Sequence, residues 1–564
     1  MSYDNFELAI YCTVHYLESI NDISQLAQDF KQFEKHLKCS KVYLETFRAD
    51  LQIGREKMVK IKEFFKNKGI KVSGGITTVA QKGLSGFAAF CYTNSKNREK
   101  LRDIVRFTAE LFDEIILDDF FFTNCKCQSC IQAKGDKTWS EFRTQLLKEV
   151  SCELVDAAKE VNPDVRLIIK YPNWYDHYQN TGYNLKDQPQ IFDMIYTGTE
   201  TRDPRYTQQH IQGYLSYFLM RYMENASKGR NGGGWFDNLD CLHNLGYYME
   251  QIYLTLFSKA REVTLFSMGS LKDSVYVPMA GYGLEKIDEF LGELGDPVGV
   301  ACYKPYHSSG EDNLYDYLGM LGIPFEPVAE FPQDSDVVFL SASAAHDSNI
   351  VDKIKSMLLR GKTVFMTSGL LAELQDRGFE DVALIKRTDR KAVVDLFACD
   401  TKSCAFRVYS RATKKVLLSQ LEYSTNDSWP VIVAIDENNN FPVLLETQYG
   451  RGLLYVLNIP DNYSDLYHYP REVLLTVRQL LMENIFVKLD CESRVGLFVY
   501  NNDAFVVESF LPYNTDVNII INGPHVGLLN IISGKKVKGN TVGDKTIFTV
   551  NIEPTAYCVY KCIK

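Results

Sequence analysis

No run of eighteen apolar residues without a charge occurs in this 564-residue chain, so nothing in it has the length and hydropathy of a membrane span. Lysine and arginine (62) are outnumbered by aspartate and glutamate (72), and no basic stripe interrupts the formal charge of −10. Such a surface has little with which to displace counterions from a polyanion, which argues against nucleic acid or anionic lipid as a partner. Cysteine is sparse as well: 14 residues fall far below the density of a disulfide scaffold. The amino terminus, Met1-Ser2-Tyr3-Asp4-Asn5-Phe6-Glu7, carries neither a basic n-region nor an apolar h-region. The expected location is therefore the cytoplasm, with the cysteines as free thiols or metal ligands. Internal repeats and low-complexity linkers are also missing.

What is present is a globular composition, 45% hydrophobic and 24% charged, in a chain longer than one core organises, so two to four domains are expected. The 34 tyrosines and 33 phenylalanines include more rings than most cores need, and a ring with a polar tip suits the face of a sugar. Between residue 7 and about 285, eight short β-rich runs alternate with amphipathic stretches, at 8–17, 42–48, 72–78, 114–122, 166–174, 194–200, 233–237 and 263–269. This alternation predicts βα units closing into a parallel barrel, with the loops after each strand forming the active site. A second βα pattern, with strands at 298–303, 336–341 and 363–367, predicts a small doubly wound domain. Alternation over 399–435 reads as an insertion within it, and a helix follows at 471–482. The segment after about 486 is rich in Val, Ile, Asn and Gly, as in a small antiparallel sandwich.

Three thiols fall within six residues in Cys125-Lys126-Cys127-Gln128-Ser129-Cys130, a spacing that lets one loop offer several soft ligands to a tetrahedral zinc ion. Cys91, after Phe87-Ala88-Ala89-Phe90, is the candidate fourth ligand. Four thiolates would close the coordination sphere and make the metal structural. The alternatives are a catalytic zinc with an open position and adventitious thiols on an exposed loop.

The run Ile115-Ile116-Leu117-Asp118-Asp119-Phe120, followed by Cys-x-Cys-x-x-Cys, resembles the fourth barrel strand and zinc loop of family 42 glycoside hydrolases. Residues 297–371 resemble the amidotransferase-like trimerisation domain of those β-galactosidases, and Gly450-Arg451-Gly452-Leu453-Leu454-Tyr455-Val456 resembles its closing strand. The resemblance implies an α/β protein. A (β/α)8 TIM barrel at 1–290 would be followed by an amidotransferase-like (flavodoxin-like) α/β domain at 291–485, with a β insertion near 395–440, and a C-terminal β-sandwich at 486–564. It also implies an exo-acting, galactosidase-like O-glycosyl hydrolase with a carbohydrate substrate, a structural zinc and a homo-oligomeric, trimeric assembly. Family 42 enzymes carry Asn-Glu at the end of the fourth strand, where this chain has Asp118-Asp119. Where their nucleophilic Glu would stand on the seventh strand it has Trp235-Phe236-Asp237-Asn238. It therefore reads as a divergent relative whose sugar is not inherited. Thr367-Ser368-Gly369 offers no thiol at the amidotransferase elbow, so assembly is the expected role of that domain.

Glycoside hydrolysis needs two carboxyl groups flanking an oxocarbenium-like transition state. Asp118 and Asp119 close an apolar strand whose alternation sends them in opposite directions, and the place of the family acid favours Asp119 as the inward one. Glu200, with Arg202 nearby to hold a carboxylate charged, is the strongest second candidate. Asp237 follows the strand Gly232-Gly233-Gly234-Trp235, and a helix N-cap is its bland alternative. Tyr43, Trp174 and Trp235 are candidate stacking platforms, and Glu45, His15 and His177 are candidate contacts to substrate. The competing function is a non-catalytic carbohydrate-binding or scaffold protein with a degenerate barrel.

Overall fold

Eight parallel strands close on themselves in the first half of the chain: β1 (Glu7–Cys12), β2 (Lys41–Arg48), β3 (Lys71–Thr77), β4 (Glu114–Leu117), β5 (Arg166–Tyr171), β6 (Met194–Gly198), β7 (Asn231–Asp237) and β8 (Glu262–Phe266). Each pairs with the next, and β1 pairs with both β2 and β8, Ala9 opposite Lys41 and Glu7 opposite Glu262, which closes the barrel. The computed structural model describes residues 2–79, 89–207, 209, 211–400, 407–524 and 526–563. It divides into two compact units, Met1–Gly292 and Glu293–Lys564. Among the described residues no helix is long and apolar enough to cross a membrane.

The sequence marks the helix starts locally: Asp22 accepts the Gln25 N–H at 2.9 Å ahead of Ile23–His36, and Thr138 with Glu141 forms a capping box ahead of Trp139–Val161. Several strands are shorter than their apolar runs suggest. The run at 8–17 splits because Thr13 caps a short helix, Val14–Ser19. The run at 114–122 ends at Leu117, where the Asp118 carboxylate takes the Asp119 N–H at 2.8 Å and turns the chain out of the ladder. The barrel is filled by Ala9, Tyr11, Tyr43, Ile116, Ile168, Tyr196 and Trp235. Rings this large need glycine opposite them; a Cβ on Gly75 would stand 2.6 Å from the Tyr11 hydroxyl.

Toward the strand starts, the interior is polar and self-satisfied. Lys41 pairs with Glu114 and Glu262 at 2.5 and 3.1 Å, and the hydroxyls of Tyr43 and Tyr196 donate to Glu262 at 2.8 and 3.0 Å. A buried network of this kind holds together only because every member has a partner.

In the second unit a five-stranded parallel sheet, ordered Phe325–Val328, Val300–Tyr303, Val337–Leu340, Thr363–Thr367 and Gly452–Leu457, continues into four antiparallel strands. These are Asn440–Tyr449, Ser428–Ile435, Ile385–Cys399 and Val408–Tyr423, so the antiparallel segment is longer than the expected insertion near 395–440. Its first strand begins with the charged, exposed run Lys386 to Lys391, which shows no apolar alternation to announce it. Residues 401–406 of the insertion lie outside the described residues. The expected strand at 298–303 is divided: Pro297–Val298 pairs with Val495–Tyr500, and only Val300–Tyr303 joins the parallel sheet. Two antiparallel sheets complete the unit, built mainly from residues 487–563.

Candidate active site

The ends of the barrel strands and the loops that follow them enclose a cavity of about 280 Å³. Its acids are Asp118, Asp119, Glu200 and Asp237, its bases Arg48, Lys170 and Arg202, and its rings Phe120, Trp174, Trp235 and Phe266. A roomier cavity of about 650 Å³ in the second unit is lined by Val408, Trp429, Val431, Leu475 and Leu480 with Glu446 and Glu472. That lining also includes Asp400 and, among the described residues, has three acids and no base, whereas the barrel cavity sets four acids against three bases, so the barrel cavity is where acid and base side chains meet.

Lys170, near the end of β5, is the hub. Its ammonium lies 2.7 Å from Asp119 Oδ2, 2.8 Å from Glu200 Oε1 and 3.6 Å from Asp118 Oδ1, and 4.4 Å from the centroid of the Trp235 ring. Asp118 also accepts from Arg48 at 2.9 Å and from the Thr77 hydroxyl at 3.1 Å. The Asp119 carbonyl accepts from the Tyr183 hydroxyl at 2.6 Å, and the Glu200 carbonyl from the Asn173 amide at 2.5 Å. Arg202 grips both oxygens of Asp237. Gln251 ties the loops together, donating to the Asp237 carbonyl at 3.0 Å and accepting the Thr201 N–H at 3.2 Å.

The two adjacent aspartates are pushed apart electrostatically. Burial raises Asp119; Lys170 pulls it back, the charges of Asp118 and Glu200 add to the rise, and the carboxyl stands at about 7. Burial acts on Asp118 in the same direction, but Lys170 and Arg48 outweigh it and hold that carboxyl below its usual value. Glu200 is raised by burial, against Lys170 and with Asp237. Neighbouring acids separated in this way can divide the roles of proton donor and carboxylate.

The alternation expected of Asp118 and Asp119 does not operate, because the strand ends before them and both turn toward Lys170. Asp118 is 4% exposed and Asp119 17%, so Asp119 is the more open to the cavity. Trp174 and Trp235 line it, as do Glu200, Arg202 and Asp237. Arg202 pairs with Asp237 and not with Glu200. The helix-cap alternative for Asp237 does not hold, since the next helix starts at Gly246; its Oδ1 accepts the Leu239 N–H instead.

Four expected contacts lie elsewhere. Tyr43 is in the buried barrel network with Glu262 and Lys41, on the side of the strand starts. Glu45 is fully buried, taken up by the Tyr11 hydroxyl, the Val14 N–H and Arg48, so it braces Arg48 and does not face the cavity. His15 is exposed on the helix Val14–Ser19 and His177 is exposed and stacked against Trp174, neither of them lining the cavity. The residue that sequence reasoning passed over is Lys170. Its signal is a lone charge inside Leu167-Ile168-Ile169-Lys170-Tyr171, which burial tolerates only with partner carboxylates.

The Sγ atoms of Cys91, Cys125, Cys127 and Cys130 all lie within 4.8 Å of one another, and this cluster can hold a metal ion. Cys91, Cys127 and Cys130 are mutually 3.6 Å apart. A tetrahedron with zinc–sulfur bonds of about 2.3 Å has edges of about 3.8 Å, so the spacing fits the ion. Phe87 and Ala88 of the run preceding Cys91 lie outside the described residues.

Residues 1–282 match the family model described as "Probable glycosyl hydrolase, catalytic domain". Residues 295–462 match "Uncharacterized protein SSO3021, second domain", and residues 486–562 match "Probable glycosyl hydrolase, C-terminal domain". The chain is 25% identical over 533 residues to the uncharacterized protein SSO3021 of Saccharolobus solfataricus, covering 86% of this chain and 87% of that one. A β-galactosidase from Bacillus circulans sp. alkalophilus shares the fold at 11% identity, with a TM-score of 0.68 over 100% of this chain and 99% of that one. So does the α-L-fucosidase isoenzyme 2 of Paenibacillus thiaminolyticus, at 13% identity and a TM-score of 0.64 over 100% of both chains. The chain thus shares its fold with proteins of very different sequence. Half of its residues lie within the first model, and the chain belongs to the probable glycosyl hydrolase family defined by that catalytic domain.

Proposed function

We propose that the protein is a retaining glycoside hydrolase that removes a terminal sugar, with Asp119 as acid/base and Glu200 as nucleophile. The supporting observation is their spacing: one oxygen of each lies within 2.8 Å of the same Lys170 nitrogen, so those oxygens are less than twice that distance apart. Retaining enzymes hold their carboxyl groups about 5–5.5 Å apart, inverting ones about 6.5–9.5 Å. In this reading the Asp119 carboxyl protonates the glycosidic oxygen as the bond to the anomeric carbon breaks. Glu200 forms a glycosyl ester, and the Asp119 carboxylate then takes a proton from the water that releases the sugar. Asp237 and Arg202 serve hydroxyl recognition, and Trp174, whose buried indole N–H has no partner among the described residues, supplies both a ring and a donor.

The cysteine loop and the likeness in fold support a divergent relation to family 42, with zinc as a structural metal held by Cys91, Cys125, Cys127 and Cys130. The trimer belongs to the same reading, and sedimentation at working concentration tests it. For the chemistry, a panel of aryl galactosides, fucosides and mannosides is screened first. In Glu200→Ala, azide should restore turnover by forming a glycosyl azide, while Asp119→Asn should spare aryl glycosides with good leaving groups. NMR of the first-formed product should show the substrate's anomeric configuration. Wild-type turnover in Asp119→Asn, Glu200→Gln and Asp237→Asn would overturn the assignment, and sugar binding without turnover would favour the non-catalytic alternative.

A further inference from the structure

The charges of the cavity do not cancel pair by pair. Arg202 is engaged by Asp237, and Arg48 by Glu45 and Asp118. That leaves Lys170, 2% exposed, as the cation placed directly between Asp119 and Glu200. Two carboxylates this close repel each other, and a single ammonium compensates only one negative charge. The arrangement therefore has room for one proton on the pair. Asp119, with 17% of its side chain exposed against 5% for Glu200, is the member open to a substrate.

We infer that Lys170 is the positioning residue of this site, holding Asp119 and Glu200 as one unit that shares a single proton, with the proton on Asp119 and the charge on Glu200. This deepens the glycosidase reading and rests on it for the identity of the acid. Lys170 contacts neither the anomeric carbon nor the leaving oxygen in this account and acts only through the two carboxyls. It acts by fixing which of the two carboxyls is the acid, and by stabilising Asp119 once the proton has passed to the leaving oxygen.

The surroundings agree. Lys170 has three N–H donors, and carboxylate oxygens of Asp119, Glu200 and Asp118 lie 2.7, 2.8 and 3.6 Å from its nitrogen. The Trp235 face covers another side of the ammonium. Burial would drive Lys170 toward its neutral form, but Asp119 and Glu200 more than reverse this, so it stays charged through the neutral range. Other charges facing the unit are Asp118, just after β4, Arg48, at the end of β2, Arg202, in the loop after β6, and Asp237, at the end of β7. The Tyr183 hydroxyl, from the loop after β5, is bonded to the Asp119 carbonyl.

The test is a pH series on wild type, Lys170→Met and Lys170→Arg, read in two ways. Turnover of an aryl glycoside gives the alkaline limb, where the acid loses its proton. Difference infrared spectroscopy follows the carbonyl band of a protonated carboxyl, assigned as the band lost in Asp119→Asn, and needs no turnover. Without the ammonium both carboxyls should bind protons more tightly. In Lys170→Met the limb and the band should therefore move up by roughly 1–3 pH units, with kcat reduced as Glu200 also takes up a proton. Lys170→Arg should keep both near their wild-type positions, with turnover lowered by the different shape of the guanidinium.

If Lys170→Met does not fold, Lys170→Met combined with Glu200→Gln removes one charge of each sign. In that variant the Asp119 band should titrate above its position in Glu200→Gln alone, and a band at or below that position overturns the inference. A band that titrates in Lys170→Met at the wild-type pH overturns the inference. An enzyme inactive on every glycoside but showing the expected band shift would sink the glycosidase reading and leave the proton-sharing unit standing.

Discussion

Arg202 binds both oxygens of Asp237, at 3.0 and 2.7 Å, from a left-handed backbone with φ of +57°. A planar fork matched to a carboxylate fixes its orientation as a point charge cannot. This pairing takes Arg202 away from Glu200, which is left to Lys170. Arg202→Lys should therefore misplace Asp237 and weaken substrate recognition. A charge-assisted hydrogen bond contributes about 1.5–3 kcal/mol, so kcat/KM should fall roughly tenfold to a hundredfold. Steady-state kinetics check this, and unchanged values would remove Asp237 from recognition.

The pH profile has a defined sign. An acid catalyst must hold its proton, and Asp119 loses it as pH rises through about 7, so kcat/KM should fall above that point. Glu200 must be ionised, and its carboxyl lies above the ordinary glutamate value, so the acidic limb should lie above that value too. A plateau extending well into the alkaline range would remove Asp119 as the acid.

Asp119→Asn abolishes proton donation and leaves the Lys170 contact with an amide oxygen. The loss should be about 10²–10⁴-fold on a substrate with a poor leaving group and much smaller on an activated aryl glycoside. Equal losses on both substrates would point to binding and not to acid catalysis.

Tyr43 and Trp174 should behave oppositely. Tyr43→Phe removes a donor from the buried Glu262 carboxylate, at a cost of about 1–3 kcal/mol, lowering Tm with KM unchanged. Trp174→Ala removes a ring of the cavity wall, and a lost aromatic contact of about 0.5–1.5 kcal/mol raises KM up to roughly tenfold. Thermal melts and KM values on one glycoside separate the two.

Zinc should be measurable by elemental analysis of the purified protein. Cys127→Ser should lose it and lower Tm, while turnover of the fraction that remains folded survives, because a four-thiolate site leaves no open position for substrate. Activity abolished in a folded, metal-free variant would argue for a catalytic metal. A wild-type protein that neither contains nor takes up metal would end the assignment.

The barrel was legible because each strand is an apolar or β-branched run set off by amphipathic stretches, and all eight runs correspond to observed strands. Asp119, Glu200 and Asp237 could be named because polar residues at strand ends have one common destination in such a barrel. The errors share a cause. Tyr43 and Glu45 lie on the same strand as Arg48, and periodicity does not say how deep along the barrel axis each side chain ends. His15 and His177 stand just beyond strands, yet helical turns carry both outward. Pro297–Val298 left its expected sheet because strand pairing is chosen by distant partners, here Val499 and Tyr500.

By itself, the order of residues determined the barrel, the spacing of three of the four clustered cysteines and the pool of acids at one mouth, since these depend on local pattern. Only the tertiary structure decided which acid faces which cation. Lys170, Asp119 and Glu200 come from three different strand ends, and their proton balance arises from distances of less than 3 Å that no local pattern encodes. The field at a carboxyl depends on those separations and on the exclusion of water, and both exist only once the barrel has closed.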